Sequence, residues 1–244
     1  MKFITNEPAL VIGKALVLAD LHIGIEHEFR QSGIIMPSQT GKMADRMLRL
    51  VRKAGAEELI ILGDVKHKVP GTSWQELREI PRLLEKLSGK VKVTIIPGNH
   101  DGGLKDIASG ARITRSAGKR VGDAYLTHGH AWPGKAFLRA KLLVMGHVHP
   151  QIEFKNKLGY RWTEPVWIRA KLDRKKVSKR FREAGKLPEL LVMPAFNPLS
   201  GGGTNWQKRE KEQIGPVVKC ADLKTAEMSM LDGTFLGKLK DLSQ

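Results

Sequence analysis

The 244-residue sequence predicts an α/β fold, on two observations. Short apolar runs alternate with amphipathic segments over roughly the first 155 residues, the pattern of strands alternating with helices. The runs that matter also end in polar residues of metal-ligand type, and strand ends are where an open α/β sheet places its binding crevice. With 41% hydrophobic and 27% charged residues, the chain has enough apolar material for a core and is not disordered as a whole. Its length suits one large domain, or one domain with an appendage.

Taken in order, the strand candidates are Ala15–Ala19, Glu58–Leu62, Val91–Ile96, Ala124–Thr127 and Lys141–Met145. Between them, Thr40–Ala54 places Met43, Met47, Leu50 and Val51 on one helical face. The segment Ser73–Leu87 does the same with Trp74, Leu77, Ile80, Leu84 and Leu87. Ser73 followed by Glu76 is a capping box, and Pro81 is a site for a kink. After Pro150 come strand-like Gln151–Phe154 and Val166–Ala170, the basic run Arg174–Arg182, a further strand at Glu189–Met193, and a closing hairpin over Ala226–Leu236 around Asp232-Gly233. The Ser200-Gly201-Gly202-Gly203 loop lacks a following helix and lysine, so it reads as a plain turn before a phosphate cradle. The domain reading is a core over 1–154, with 155–244 as a basic insertion and closing strands of the same domain.

Composition excludes several classes. No apolar stretch approaches the roughly 18 residues needed to span a bilayer. The N-terminus has neither a basic-then-apolar leader nor a cleavage site, so a cytoplasmic location is expected. The single cysteine, Cys220, forms no intrachain disulfide and supplies no Cys-rich zinc site, which leaves His, Asp, Asn and Glu to hold any metal. The net charge of +17 suggests a polyanionic partner. Residues 155–186 hold twelve basic and three acidic side chains, so +9 of the excess lies there. Arg174, Lys175, Lys176, Lys179, Arg180 and Arg182 are the candidate nucleic-acid contacts, with Trp162, Trp167 and Phe181 available for stacking on bases. The plain alternatives are a solvated face for the charges and a core position for Trp167.

Five strand tips collect the chemistry. They are Asp20-Leu21-His22, Gly63-Asp64-Val65-Lys66-His67, Pro97-Gly98-Asn99-His100-Asp101, His128-Gly129-His130 and Gly146-His147-Val148-His149. Of eight histidines only His27, read as a surface residue on the helix after the first tip, lies elsewhere. In Asp-x-His and His-x-His the side chains are two residues apart, so in extended geometry they point to one side and can share an ion. Carboxylate and amide oxygens mixed with imidazoles suit manganese, iron or zinc and argue against a calcium cage. Lys66 adjoins the site and could attract phosphate, but solvent exposure is the plainer reading.

In this order the five motifs resemble the signature of the calcineurin-like metallophosphoesterases, over residues 15 to 150. Within that superfamily, Asp20-Leu21-His22-Ile23-Gly24 followed by Arg30-Gln31-Ser32-Gly33-Ile34-Ile35-Met36-Pro37 is similar to the ligase-associated DNA-repair phosphoesterases and their archaeal relatives. The Gly-Asp-x-x-His form at 63–67 is similar to that of double-strand-break repair nucleases. The resemblance implies a four-layer α-β-β-α sandwich, with a basic C-terminal extension here, and two divalent ions, manganese first, with iron, zinc or cobalt as alternatives. It puts Asp20, His22, Asp64 and His149 on one ion and Asp64, Asn99, His128 and His147 on the other, with Asp64 bridging. The ion pair would activate a hydroxide for in-line attack on the phosphoester. His100 would be the general acid, with Asp101 orienting it. Either His128 or His130 can be the ligand; the family pattern favours His128, which directly follows the strand. His67 is open between a phosphate contact and a hydrogen-bonding group behind the ligands.

Fold does not set substrate. The basic stretch favours a phosphodiesterase or nuclease acting on nucleic acid. A small-molecule phosphatase or cyclic nucleotide phosphodiesterase is the alternative, and a non-catalytic metal-binding scaffold docking on nucleic acid is a second. A homodimer or a repair-complex partner is left open, and no membrane partner is expected.

Overall fold

The computed structural model describes residues 1–182, 185–201 and 215–242. Glu183 of the basic stretch and Gly202 and Gly203 of the glycine-rich loop lie outside the described residues. Two sheets form the molecule. The first contains β1 (Lys2–Phe3), β2 (Leu10–Ile12), β3 (Ala15–Ala19), β4 (Glu58–Leu62), β5 (Lys92–Ile96) and β6 (Ala111–Ile113), paired in sequence order. Strands β3 to β6 are parallel, while β1 and β2 add an antiparallel edge too short to signal itself in the sequence. The second sheet contains β7 (Lys119–Val121), β8 (Ala124–Thr127), β9 (Leu142–Met145), β11 (Arg161–Ala170), β12 (Glu189–Val192), β13 (Glu227–Met230) and β14 (Phe235–Lys238), in the order β14-β13-β11-β12-β9-β8-β7. Among the described residues strand β10 (Gln151–Lys155) pairs with β11 alone.

Alternation of side chains along the strands makes three apolar layers. Val17, Ala19, Ile60, Leu62 and Ile96 of the first sheet meet Leu126, Val144, Trp167 and Leu191 of the second, forming the core between the sheets. On the outer face of the first sheet, Leu16, Leu18, Leu59, Ile61, Val93 and Ile95 pack against α2 (Thr40–Ala54) and α3 (Trp74–Ser88). The outer face of the second sheet is covered by α4 (Arg174–Ser178), through Val177, and by short 3-10 turns carrying Phe137, Val218 and Leu239. The four layers are therefore present, with a thin fourth. Strand β12 sits between β9 and β11, so residues after 154 build the middle of the second sheet as well as its edge.

Local expectations fare unevenly. Helix α2 buries Met43, Met47, Leu50 and Val51. Helix α3 starts at the Ser73 capping box and runs through Pro81. Its expected face is corrected in the first turn: Ile80, Leu84 and Leu87 are buried with Leu83, but Trp74 is 88% exposed and Leu77 42%. Helical spacing assigns a face to the whole helix, yet only the turns lying over the sheet find a partner. Trp167 is core, edge-on to Phe3. Strand β11 starts five residues before the expected Val166. Among the described residues no helix is long and apolar enough to cross a membrane.

Candidate metal centre

The tips of β3, β4 and β5 in one sheet and of β8 and β9 in the other meet at one edge of the sandwich. Among the described residues six non-glycine positions have positive φ, and five are tip residues: Asp20 (57°), His22 (43°), Asp64 (47°), His147 (75°) and His149 (42°). A left-handed backbone costs an ordinary side chain about 1 kcal/mol or more, so five in one place amount to concentrated strain of the kind that gathers at functional sites. Glycine is needed where backbones crowd these carboxylates. A Cβ on Gly98 would lie 2.1 Å from Asp64 Oδ1, and one on Gly146 2.5 Å from Asp20 Oδ2.

The donors fall into adjoining groups within 4.8 Å: Asp20, His22, Asp64 and His149 in one, Asp64, His128 and His147 in the next, with Asp64 common to both. His22, His67 and His100 form a third group beside them. His22 Nε2 lies 3.1 Å from His149 Nε2. His128 Nε2 sits 3.0 Å from Asp20 Oδ1 and 3.3 Å from Asp64 Oδ2. His130 stands behind it, Nδ1 to Nδ1 at 2.9 Å, and lies in none of the three groups. Asn99 is exposed at the β5 tip.

Second partners orient the rings. His149 Nδ1 donates to the Ser200 carbonyl at 2.8 Å, which turns Nε2 toward Asp20, 3.5 Å from its Oδ1. His100 Nδ1 donates to the His67 carbonyl, which turns its Nε2 toward the carboxylates, 4.0 Å from Asp64 Oδ2. His67 is held between His22, Nδ1 to Nδ1 at 3.1 Å, and the carboxylate of Glu28 on α1 (Ile25–Gln31). Asp101 spends its carboxylate on backbone amides, Val65 N at 2.8 Å and Gly98 N at 2.8 Å, and so locks the β4 and β5 tips together. Orientation of His100 thus comes from a carbonyl, and Asp101 positions the loops. His27 is half-buried on α1, with Nε2 3.3 Å from Gln31.

The expectation for Lys66 is overturned: it is 1% exposed. Beyond β4 the backbone keeps pairing with the β3 tip, through His22 N to Asp64 O and Ile23 N to Val65 O, so alternation turns Lys66 inward. Its ammonium donates to the carbonyls of Lys68 (2.5 Å) and Gly71 (2.6 Å), as a buried charge must. Residues 174–182 are exposed apart from Val177, Ser178 and Phe181, but the structure does not gather them at the metal edge. Ala170 pairs with Leu190, at the start of β12, and β12 runs parallel to β9, so α4 begins at the edge opposite His147. Only Phe181, against Trp132 and Phe137, brings the run partway back.

Two supporting residues escaped the sequence reading. Glu76, besides capping α3, accepts His67 N (2.8 Å) and Lys68 N (2.7 Å) with Oε1. Asn197, 1% exposed, donates to the Leu21 carbonyl at 2.8 Å and ties the loop after β12 to the β3 tip. The available signal was polar Asn197 inside Pro194-Ala195-Phe196-Asn197-Pro198 directly after a strand, the pattern of the other tips.

The charges fit a cation. Burial opposes ionisation of Asp20 and Asp64, but His149 and hydrogen bonds from His128 and His149 hold Asp20 well below the usual carboxylate range, and His128 does the same for Asp64. Burial also opposes a proton on His128, yet its bonds to both carboxylates push it up to about 10. Burial, then the positive charge of their neighbours, pushes His22 down to about 3 and His147 to about 4. Two buried carboxylates thus draw a proton onto a fully buried imidazole, in a place where a divalent ion would supply the charge instead. His147 Nδ1 is buried with no hydrogen-bond partner, a further donor awaiting an acceptor of its lone pair.

A family model described as calcineurin-like phosphoesterase matches residues 13–178. The chain belongs to that family. As a calcineurin-like phosphoesterase it is a metal-dependent hydrolase of phosphoesters, and the family implies a dinuclear site of divalent ions, for which the Asp and His clusters provide the donors. Solved structures match the chain as well. Nuclease MPE of Pseudomonas putida superposes with a TM-score of 0.55 at 20% identity, over 91% of this chain and 88% of that one. The phosphoesterase Yfce of E. coli gives 0.37 at 21% identity, over 58% and 73%. No curated protein sequence matches the chain.

Proposed function

We propose that this phosphoesterase is a phosphodiesterase or nuclease that cuts nucleic acid, with manganese as its working metal. The observation that carries the substrate class is charge: a +17 chain concentrates +9 in residues 155–186, and the six basic side chains of 174–182 are all exposed. Exposed cations in that number release counterions when they meet a phosphate backbone. The fold shared with nuclease MPE is in keeping with this reading. Since α4 starts at the far edge, these residues serve as an outer track for the strand and not as contacts to the reacting phosphate.

On this reading Asp20, His22, Asp64 and His149 hold one ion, and Asp64, Asn99, His128 and His147 the other. Divalent ions held by these residues would supply charge stabilisation for the phosphoryl oxygens and an activated water. His100, fixed through Nδ1 by the His67 carbonyl, presents Nε2 to protonate the leaving oxygen. His67, with both ring nitrogens engaged by His22 and Glu28, steadies the His22 ring from behind.

The test is hydrolysis by metal-stripped protein, with manganese added back, of an aryl phosphodiester, an aryl phosphomonoester and labelled single- and double-stranded DNA and RNA at two salt concentrations. Salt-sensitive cleavage of a polynucleotide is expected. Turnover of the small esters alone, insensitive to salt, would replace the reading with a small-molecule phosphatase or cyclic nucleotide phosphodiesterase.

A further inference from the structure

Strand β11 has two halves. Val166–Ala170 lies inside the second sheet, whereas among the described residues Arg161–Pro165 pairs only with β10, which begins two residues after His149. Ile168 is level with Val192, and Val192 with Met145, so residues before Ile168 climb past the edge that carries His147. At about 3.3 Å per residue and about 4.8 Å per strand, Trp162 stands roughly 13 Å beyond His147 and two strands aside, so the two lie within roughly 20 Å. The β10–β11 ribbon is a wall rising beside the metal centre.

One face of that wall is aromatic. Phe154 and Trp162 are directly opposite and stacked, ring centres 5.4 Å apart at 24°, and Tyr160 continues the row at 6.0 Å and 22°. Phe154 packs on the core below, but Trp162 is 38% and Tyr160 67% exposed. The segment 155–161 at the tip adds Lys155, Lys157 and Arg161 and no acidic residue; Arg161 pairs back to Glu153. Cross-strand packing accounts for Phe154 against Trp162. It does not account for a third ring stacked on the row in an exposed turn, bordered by cations.

We infer that this ribbon is a stacking platform for unpaired bases, on which Tyr160, the exposed end of the row, receives a base face with Trp162 stacked behind it, while Lys155 and Lys157 meet the adjoining phosphates and the strand continues to the metal centre. The inference rests on the nucleic-acid reading above and deepens it. A paired base has both faces covered by its neighbours, so the platform selects single strands, overhangs or loops near the scissile bond.

The test compares wild type, Trp162→Leu and Tyr160→Leu, all full-length and manganese-loaded, on a labelled single-stranded oligodeoxynucleotide and on one of equal length made abasic on one side of the scissile phosphate. Thermal melts and metal content check the fold, and Tyr160, in an exposed turn, serves if Trp162→Leu is unstable. The base-bearing strand should have a KM about tenfold or more below that of the abasic strand in wild type, and the gap should close in both variants. Cleavage by wild type with the same gap in the variants overturns the platform and leaves the nucleic-acid reading standing. Absence of both binding and cleavage of either oligonucleotide, and of a single-stranded RNA of the same sequence, by wild type overturns the two together. Loss of a vesicle- or protein-binding activity in the variants, with no change on oligonucleotides, reassigns the aromatic face and also overturns it.

Discussion

The two sheets bring different chemistry to the shared edge. The first contributes both buried carboxylates, Asp20 and Asp64, with His22, His67, Asn99 and His100. Among the described residues the second contributes imidazoles: His128, His130, His147 and His149. The first half arises from consecutive strand-helix-strand units, and neighbouring backbone holds it together, as where Asp101 binds the amides of the β4 tip. The second half depends on distant chain, since His149 is oriented by Ser200, 51 residues away. Negative charge is assembled locally and its imidazole partners are carried in by another sheet. The donor set is complete only when the apolar layer between Val17, Ile60 and Leu62 on one side and Leu126, Val144 and Leu191 on the other has formed.

The strongest way to break this division is at the shared carboxylate. Asp64→Ala should cut turnover about a thousandfold or more, the equivalent of several kcal/mol of lost transition-state stabilisation, and lower the bound metal count. Near-normal turnover with both ions retained would sink the dinuclear scheme. His100→Gln should slow hydrolysis of a diester with a poor leaving group about a hundredfold while elemental analysis finds the metals still bound. An unchanged rate would remove the proton-donor role. Gly98→Ala tests whether the first half is packed as tightly as described: its Cβ would overlap Asp64, at about 1–3 kcal/mol in stability, and weaken metal binding with it. A melt and metal content like those of wild type would show that the tip has room to give.

Two smaller effects probe the link between the halves. Asn197→Ala removes the tie from the loop after β12 to the β3 tip and leaves the Leu21 carbonyl without this donor. A loss of about 1–3 kcal/mol in chemical denaturation is expected, and no loss would mean the halves dock without it. Glu58 in the first sheet pairs with Lys119 in the second at 2.8 Å. Burial raises the Glu58 pKa, but hydrogen bonds from Lys119 and Thr94 outweigh it and leave the group below its ordinary 4.5. The stability it adds is present above pH 4.5 and lost as pH falls through the lowered value. Glu58→Gln should therefore remove at most about 1 kcal/mol at neutral pH and flatten the acid limb of the stability curve. An identical acid limb in the variant would show that the pair does not couple the sheets.

Much of the site was legible because its information is local. Asp20 and His22, or His147 and His149, sit two apart after an apolar run, and that spacing states both the strand and the side it presents. The same reasoning failed for Lys66, whose burial depends on pairing with the β3 tip, and for Trp74 and Leu77, whose helical face extends past the sheet it should cover. It also failed to place Arg174–Arg182, because the edge where α4 begins depends on strand order and direction, which spacing does not encode.

By itself, then, the sequence determined which side chains are offered as donors and on which strand tips, since period-two alternation and flanking glycine act within a few residues. Tertiary structure alone decided which donors share a point in space. Asp64 serves two clusters, His128 enters where His130 does not, and Ser200 and Asn197 support them. The physical reason is that these relations are set by the packing of two sheets and by the register of β12 between β9 and β11, an energy spread over a whole apolar layer and readable from no single segment of chain.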